Sequence, residues 1–212
     1  PDTNVTVAAG MVRDVTPAAT RGSSPNTVRH SSLVTDRLTR GRTVWFSGLS
    51  GSGKSTVAVH AEQLLLEHGT PAYILDGDNL RHGLNADLGF SMADRSENLR
   101  RLAHVATLMA DAGLTVLVPA ISPLEEHRDL ARKVHNDNGI EFFEVFVDTP
   151  LEDCERRDPK GLYAKARRGE ITHFTGIDSP YQRPKNPDLR LTPEYSPAEL
   201  AEQVIGLLEP GA

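Results

Sequence analysis

From Thr43 onward, short apolar runs alternate with longer segments in which apolar residues recur at helical spacing. The runs are rich in β-branched and aromatic residues, which favour buried strands. The predicted strands are Thr43–Ser47, Ala72–Leu75, Leu114–Val118, Phe142–Val147 and a weaker Leu189–Leu191. The clearest helical spacing is that of Leu102, Val105, Ala106, Met109 and Ala112, which Gly113 ends. This alternation predicts an α/β fold in three layers, with a mainly parallel sheet between helices.

Helix starts are marked by a hydroxyl residue, a proline and a glutamate in fixed order. Ser122–Glu125, Thr149–Glu152 and Ser196–Glu199 each have this order, which predicts an N-terminal cap followed by an N1 proline. Asp94 and Glu97 are a further candidate capping pair, for the long helix. Ligands of parallel sheets gather beyond the carboxyl ends of the strands, so the segments that follow the strands are the candidate site.

Two segments differ from this pattern. Residues 1–35 are rich in Thr, Ser, Pro, Val and Ala, and we interpret them as a tail or linker before a catalytic domain over 36–212. Val5–Val12 has some strand character but too little apolar mass for a core. Residues 156–187 are dense in charge, Gly and Pro, with few apolar residues, and we expect that this stretch cannot bury itself, which is typical of a functional loop or lid.

Composition excludes several classes of protein. The 212 residues have a formal net charge of -6, which argues against a general nucleic-acid binder. No apolar run approaches the ~20 residues that span a bilayer, so we expect no membrane partner. The single cysteine, Cys154, fits a reducing compartment and is expected to be a packed small residue. These features together predict a cytoplasmic protein.

A complete phosphate-binding loop follows the first predicted strand. Gly48-Leu49-Ser50-Gly51-Ser52-Gly53-Lys54-Ser55 matches G-x-x-x-x-G-K-[ST] and opens a predicted helix over 56–68. Glycines let backbone N–H groups surround a polyphosphate, and the start of the helix adds a positive dipole end. Lys54 would reach the outer phosphates and Ser55 would ligate Mg²⁺. The predicted nucleotide-binding residues are Gly48, Ser50, Gly51, Ser52, Gly53, Lys54, Ser55 and Thr56.

Carboxylates, arginines and an aromatic residue follow the next strand. Asp76 and Asp78 lie just beyond a strand end, where they suit Mg²⁺ binding and the positioning of an attacking hydroxyl. A simple Asp-Gly turn that caps a helix is the structural alternative for Asp76. Arg81 is placed to meet an anionic group on the acceptor. Phe90 is a candidate for stacking on a planar base.

Two other segments contribute candidates to the same cleft. Arg95 and Asn98 are three residues apart, so one helical face can present a cation and an amide. Ser122, at the end of the third predicted strand, is both a candidate helix cap and a residue exposed to the ligand cleft.

These motifs together resemble the adenylylsulfate kinase family. The resemblance covers nearly everything from about residue 36, and the lid is its most specific part. It rests on Gly48–Thr56, Asp76–Asn85, Asp94–Asn98, Ile121–Pro123, Cys154–Ile171 and Phe174–Tyr181. One departure is Pro159 beside Lys160, where a more flexible residue is common in the family.

The resemblance implies that ATP, with Mg²⁺, phosphorylates the 3′-hydroxyl of adenosine 5′-phosphosulfate (APS). Asp78 would orient or deprotonate the hydroxyl, with Asp76 assisting near Mg²⁺. The family analogy also includes Ser122 as a phosphoryl carrier, although direct in-line transfer needs no covalent intermediate. The implied APS pocket is Asp78, Arg81, Phe90, Arg95, Asn98, Ile121, Ser122, Lys160 and Phe174. Arg156 and Arg157 are our hypothesis for the ATP adenine.

Partners follow from the same resemblance. A homodimer is the family expectation. Asn4–Val12 is similar to the end of the last barrel domain in the large, GTPase-like subunit of sulfate adenylyltransferase. The chain would then be the kinase part of a bifunctional sulfate-activating polypeptide.

Two other functions compete with this interpretation. One is a nucleotide-operated switch, which for guanine would need N-K-x-D and D-x-x-G elements. The nearest candidates, Asn186-Pro187-Asp188 and Asp76-Gly77-Asp78, do not fit. The other is a different small-molecule kinase of similar architecture, against which the lid discriminates through resemblance alone.

Overall fold

The computed structural model describes residues 41–209, so the predicted tail over 1–35, with its strand-like Val5–Val12, lies outside the described residues. In chain order the elements are β1 (Arg42–Ser47), α1 (Lys54–Glu67), β2 (Ala72–Ile74), α2 (Gly77–Leu80), α3 (Met92–Asp111), β3 (Thr115–Pro119), α4 (Glu125–Asp137), β4 (Glu141–Val147), α5 (Leu151–Arg157), α6 (Leu162–Arg167), β5 (Leu189–Leu191) and α7 (Pro197–Leu208). No helix within 41–209 is long and apolar enough to cross a membrane.

The five strands form one parallel sheet in the order β2-β3-β1-β4-β5. The central strand β1 pairs with β3 on one side, where Trp45 lies opposite Val118, and with β4 on the other, where Trp45 lies opposite Glu144. Strand β1 is buried from Thr43 to Ser47 because helices cover both faces, as expected for a parallel sheet. The predicted three-layer α/β fold is confirmed.

Alternation along β1 divides the apolar residues between two cores. Val44 and Phe46 face α1 and α7, where they pack with Val57 and Val204. Trp45 faces α3 and α4 and packs with the buried apolar stripe of α3. That stripe comprises Leu99, Leu102, Ala103, Ala106 and Ala110. Burial on both faces fixes the height of β1, and therefore the place at which the following glycine-rich loop leaves the sheet.

The predicted helix starts are only partly right. Ser196 caps α7 in a reciprocal capping box with Glu199, as expected. The cap of α3 is Ser91 instead of Asp94, because the helix begins three residues earlier and Asp94 becomes the residue whose N–H is capped. Glu97 instead binds Arg100 and Arg101.

Ser122 and Thr149 are not helix caps. Helix α4 begins at Glu125 after Leu124, and α5 begins at Leu151 after Pro150, with no side-chain cap at either start. Both hydroxyls are instead used in tertiary hydrogen bonds, which local sequence pattern does not reveal.

The charged segment 156–187 has a small core of its own, contrary to the interpretation that it could not bury itself. Tyr163 and Phe174 are 1% and 8% exposed and pack with Cys154 and Ala166. Leu49 of the glycine-rich loop and Ile177 border this cluster. Cys154 is a free, buried thiol, as predicted. The lid is therefore attached to the glycine-rich loop by apolar packing.

Candidate active site at the carboxyl end of the sheet

The start of α1 is left open for an anion. Gly53 occupies the N-cap position without a side-chain hydrogen bond, and the first turn holds no acidic residue. Each of the other six helices described has a capping carboxylate or hydroxyl, or an acidic residue in its first turn. Because the first N–H groups of a helix have no intrahelical partner and carry a positive dipole end, α1 offers them to a polyphosphate.

Two glycines are required by the shape of this loop. Gly48 has φ 144°, and a Cβ there would lie 2.7 Å from the Val147 carbonyl oxygen. Gly51 has φ 72°, and a Cβ there would lie 3.1 Å from the Cys154 carbonyl oxygen. Side chains at these positions would be both strained and crowded. The loop therefore runs closely over the end of β4 and the middle of α5.

Outward carbonyls of the loop are held by side chains that follow β4. The Thr149 hydroxyl donates to the Ser52 carbonyl at 2.8 Å, and an Arg157 guanidinium nitrogen donates to the same oxygen at 3.5 Å. The Tyr163 hydroxyl donates to the Ser50 carbonyl at 2.9 Å. With its carbonyl oxygens bound from behind, the loop can turn N–H groups toward a ligand.

Lys54 is 7% exposed and its ammonium group donates to the Leu49 carbonyl at 2.6 Å. Burial lowers the pKa of Lys54 to about 8, and the charge of Lys160 lowers it further while that of Asp78 opposes the shift. The lid joins this loop to the predicted acceptor groups, because its core packs against Leu49 and its Lys160 pairs with Asp78 at 2.6 Å. This places the predicted donor and acceptor groups in one cleft.

Asp76 and Asp78 lie at the start of the short helix α2. Asp76 is its N-cap and accepts from the Asp78 backbone N–H at 2.6 Å. Asp76 therefore caps a helix, as the structural alternative predicted. The Asp78 carboxylate is 69% exposed and pairs with the Lys160 ammonium at 2.6 Å. The lid and the predicted catalytic carboxylate are thus in direct contact, which raises the pKa of Lys160.

Arg81 and Arg95 converge on the turn that precedes α3. Arg81 donates to the Gly89 carbonyl at 2.9 Å and Arg95 to the Phe90 carbonyl at 2.9 Å. The Arg81 guanidinium lies 4.4 Å from the centre of the Phe90 ring, and that ring is 68% exposed. Partial burial and the charge of Arg81 lower the pKa of Arg95. An exposed ring beside two guanidinium groups suits a planar base with an anionic substituent.

Asn98 and Ser122 lie deeper than predicted. The Asn98 carbonyl oxygen accepts from the Asn85 amide at 2.9 Å, and Asn98 is 8% exposed. Ser122 is 1% exposed, and its hydroxyl accepts from the Trp45 indole N–H at 2.8 Å. The expectation that Ser122 is exposed to the cleft is wrong. Ile121, which precedes it, is half-buried and accepts from the Gly48 N–H at 3.4 Å.

A buried network holds Ser122 in a strained conformation. Its φ of 43° is left-handed, which costs a non-glycine residue about 1–3 kcal/mol. The Arg128 guanidinium donates to the Ser122 carbonyl at 2.8 Å and pairs with Glu144 at 2.9 Å. Hydrogen bonds from charged groups contribute about 1.5–3 kcal/mol, enough to offset the strain.

Three predicted site residues on the lid are differently placed. Phe174 is buried with its ring edge-on to Tyr163, at 4.9 Å between centres and 78° between planes. Arg156 is 74% exposed and pairs with Asp153, whereas Arg157 contacts the Ser52 carbonyl. Ser55 and Thr56 are exposed in the first turn of α1.

Sequence reasoning missed the residues that hold the site from behind. Five side chains donate hydrogen bonds to a predicted site residue or to the glycine-rich loop. They are those of Trp45, Asn85, Arg128, Thr149 and Tyr163. Their partners lie between 6 and 113 residues away in the sequence. Asn85 and Tyr163 lie in segments that carry the family resemblance, but no pattern gave them a role, and the Thr149-Pro150 pair indicated a helix start instead.

The sequence profile of a known family matches this geometry. The profile described as Adenylylsulphate kinase covers residues 40–192, from the start of β1 through the lid to the end of β5. The chain belongs to the adenylylsulphate kinase family. The prediction of an adenylylsulfate kinase, a phosphotransferase, is confirmed.

Relatives of this kinase occur alone and within larger proteins. The Bifunctional enzyme CysN/CysC of Mycobacterium tuberculosis is 77% identical over 99% of this chain, which spans only 34% of that relative. The Probable adenylyl-sulfate kinase of Halalkalibacterium halodurans is 52% identical over 84% of this chain and 88% of its own length. The kinase thus spans about a third of the first of these relatives.

Solved kinase structures share the fold. The structure of M. tuberculosis APS kinase CysC in complex with AMPPNP and APS matches with a TM-score of 0.79 and 80% identity, over 80% of this chain and 98% of that one. A hexameric APS kinase from Thiobacillus denitrificans matches with a TM-score of 0.60 and 30% identity, over 80% of this chain and 29% of that one.

Proposed function

We propose that this kinase transfers the γ-phosphoryl group of ATP directly to the 3′-hydroxyl of APS, with Lys54 on the donor and Asp78 on the acceptor. The observation that carries the proposal is the 2.6 Å ion pair between Lys160 of the lid and Asp78, in a lid whose core packs against Leu49 of the glycine-rich loop. Phosphoryl transfer needs little beyond positioning and neutralisation of charge. A buried lysine and an exposed carboxylate across the cleft divide those two tasks.

On the donor side, the open start of α1 would bind the phosphates. The backbone N–H groups from Gly51 to Thr56 and the hydroxyls of Ser50 and Ser52 would contact the phosphates, and the Ser52 N–H would leave the Leu49 carbonyl, its partner at 3.2 Å, to do so. Lys54 would leave the Leu49 carbonyl, its partner at 2.6 Å, for the outer phosphates. Arg156 and Arg157, at the end of α5 beside the loop, would meet the adenine. Arg156 is 74% exposed and would exchange its surface ion pair with Asp153 to do so.

Mg²⁺ fits the oxygen donors present. Ser55 and Asp76 offer a hydroxyl and a carboxylate, and Mg²⁺ in kinases takes one or two protein oxygens together with phosphate oxygens and water. Within residues 41–209 no group of three or more His, Cys, Asp or Glu is arranged to hold a metal by itself. When bound, Mg²⁺ would neutralise charge on the β- and γ-phosphates.

On the acceptor side, Asp78 would accept a hydrogen bond from the 3′-hydroxyl and receive its proton. Lys160 would release Asp78 and bind an anionic oxygen of the substrate instead. Arg81 and Arg95 would bind the phosphosulfate group, and Phe90 and Phe174 would contact the adenine. Asn98 and Ile121 would lie at the bottom of the APS pocket.

For Ser122 we propose a positioning role in place of phosphoryl transfer. Its hydroxyl is 1% exposed and is occupied by the Trp45 N–H, so an incoming phosphate has no path to it without breaking that contact. The constraint on Ser122 would instead fix Ile121 at the rim of the cleft. Direct in-line transfer is the simpler chemistry because it needs no covalent intermediate.

The proposal includes two protein partners, a sulfate adenylyltransferase domain and a second copy of this chain. Similarity to the bifunctional relative supports a place beside a sulfate adenylyltransferase domain, which would supply APS. We propose self-association as a homodimer. The use of ATP as phosphoryl donor supports a cytoplasmic location.

The test is an ADP-release assay with Mg-ATP and three acceptors: APS, AMP and none. We expect ADP release with APS alone, together with a product that carries phosphate at the 3′ position. Release with AMP at a comparable rate, or the same rate without acceptor, would refute the acceptor assignment. Ser122→Ala, which we expect to remain active, separates direct transfer from a phosphoserine route.

A further inference from the structure

From within the lid, Tyr163 contacts both the glycine-rich loop and the buried Phe174. It lies in the first turn of α6 and is 1% exposed, among the most buried large side chains of residues 41–209. Its hydroxyl donates to the Ser50 carbonyl of the glycine-rich loop at 2.9 Å. Burial raises the pKa of Tyr163 well above its ordinary value, so the hydroxyl keeps its proton and remains a donor.

The other side of the same ring meets Phe174. The two rings pack edge to face with centres 4.9 Å apart, and Phe174 is 8% exposed. The Phe174 N–H in turn donates to the Asp178 carboxylate, which fixes the backbone behind the ring. Rings in such contact move together, because protein interiors are packed without free space.

Tyr163 has little freedom to absorb a displacement of either neighbour. The Asp158 carboxylate accepts from the backbone N–H groups of Tyr163 and Ala164 at 3.1 and 3.0 Å, which anchors the start of α6. A shift of the Ser50 carbonyl must therefore break the hydrogen bond or turn the tyrosine ring against Phe174.

We propose that Tyr163 is a positioning residue that couples nucleotide occupancy of the glycine-rich loop to the affinity of the acceptor site. This inference rests on the proposed function, which places ATP phosphates on the loop and the APS adenine at Phe174. Binding of phosphates would free the Leu49 carbonyl next to Ser50, because Lys54 would exchange that carbonyl for the ligand, and this local release is the change that the loop would pass on. Through Ser50, Tyr163 carries that change to Phe174.

The experiment measures APS affinity by calorimetry with the full 212-residue chain, with and without saturating Mg-AMPPNP. The wild type should show a ratio of the two dissociation constants of at least about fivefold, the lower end of ordinary coupling between sites. Tyr163→Phe keeps the ring against Phe174 but removes the donor to Ser50. It should bring the ratio below about twofold.

Thr149→Val is the matched control. It removes another hydroxyl that holds the same loop, at the Ser52 carbonyl, but Thr149 has no ring contact with Phe174. Its ratio should stay within about twofold of wild type. Phe174→Leu, which removes the other end of the link, should reduce the ratio as Tyr163→Phe does, and it tests the proposal even if Tyr163→Phe fails to fold.

A wild-type ratio of one would overturn the inference. So would a Tyr163→Phe variant that keeps the wild-type ratio while both affinities fall, which is the pattern of a purely structural residue. Loss of coupling in Thr149→Val equal to that in Tyr163→Phe would also overturn it. Failure of the proposed function looks different, because the wild type would then release no ADP with APS.

Discussion

The two halves of the cleft are built in different ways. On the donor side, the glycine-rich loop is fixed by backbone shape, by a buried lysine and by hydrogen bonds to its carbonyls from Thr149 and Tyr163. On the acceptor side, Asp78, Lys160 and Phe90 are 64–69% exposed, and their contacts are an ion pair and a stacked guanidinium. On the donor side the loop is held in place and Lys54 would exchange one contact to bind phosphates, whereas on the acceptor side both Asp78 and Lys160 must give up their ion pair.

This difference assigns the two halves different tasks. Phosphates are the same in every nucleotide, so a rigid frame of N–H groups serves them well. The acceptor must be distinguished from other nucleotides. That distinction depends on side chains whose interactions with their present partners are weak. Exposed ion pairs such as Asp78–Lys160 contribute little to stability, about 0–1 kcal/mol, and are therefore readily exchanged for substrate.

The largest expected effect comes from Asp78→Asn. The amide can still hydrogen bond but cannot take the proton of the hydroxyl, so turnover should fall by about 10²–10⁴-fold. The dissociation constant for ATP should change by less than about threefold, because the carboxylate acts on the acceptor. Steady-state kinetics and ATP titration measure the two quantities, and turnover close to wild type would remove Asp78 from the mechanism.

How much of this contrast the sequence reveals depends on how local each feature is. The glycine-rich loop and the strand–turn–helix context of Lys54 are contiguous, so their roles can be inferred from pattern. The hydrogen bonds from Trp45 to Ser122 and from Tyr163 to Ser50 join residues 77 and 113 positions apart. No periodicity encodes such pairs, which is why Ser122 and Thr149 were misinterpreted as helix caps.

The lid shows the same limit. Its charge and its Gly and Pro content predicted a loop that cannot bury itself, yet Tyr163 and Phe174 find apolar partners in Leu49 and Leu151. Leu49 belongs to the glycine-rich loop, so the core of the lid is shared between distant segments. The composition of the lid segment alone therefore does not reveal those partners.

The second-largest effect is a change in the KM for one substrate alone, which distinguishes the acceptor side of the cleft from the donor side. Arg95→Ala should raise the KM for APS by about 10- to 100-fold, since hydrogen bonds from a charged group contribute about 1.5–3 kcal/mol. The KM for ATP should change little. Arg100→Ala is the control on the same helix, because Arg100 is exposed and pairs with Glu97. Equal increases for both substrates in Arg95→Ala would contradict its place on the acceptor side.

A smaller effect, the change of ATP affinity with pH, tests the donor side of the cleft. Burial lowers the pKa of Lys54 to about 8, so the free protein loses this positive charge above pH 8. Bound phosphates favour the charged form and raise the pKa again. ATP affinity should therefore be independent of this group below pH 8 and weaken by up to about tenfold for each pH unit above it.

Lys54→Arg is the matched variant for that measurement, since a guanidinium stays protonated throughout. Its ATP affinity, measured by calorimetry from pH 7 to 10, should lack the decline seen in the wild type. Parallel curves for the two proteins would show that Lys54 does not carry the pH dependence.

The smallest effect on activity is expected from Ser122→Ala. Removal of the hydroxyl leaves the buried Trp45 N–H without its acceptor, which should lower the free energy of unfolding by about 1–3 kcal/mol. Turnover should stay within about threefold of wild type. Chemical denaturation and the ADP-release assay give the two values, and a folded variant with turnover reduced a hundredfold would restore a catalytic role to Ser122.

The most direct measurement is a crystal structure of this protein with Mg-AMPPNP and APS bound together. The account predicts that an Asp78 carboxylate oxygen lies about 2.6–3.2 Å from the 3′-oxygen of APS, with the Lys160 ammonium moved away from Asp78 and Lys54 on the outer phosphates. An Asp78 that stays paired with Lys160, while the 3′-hydroxyl faces another residue, would contradict it.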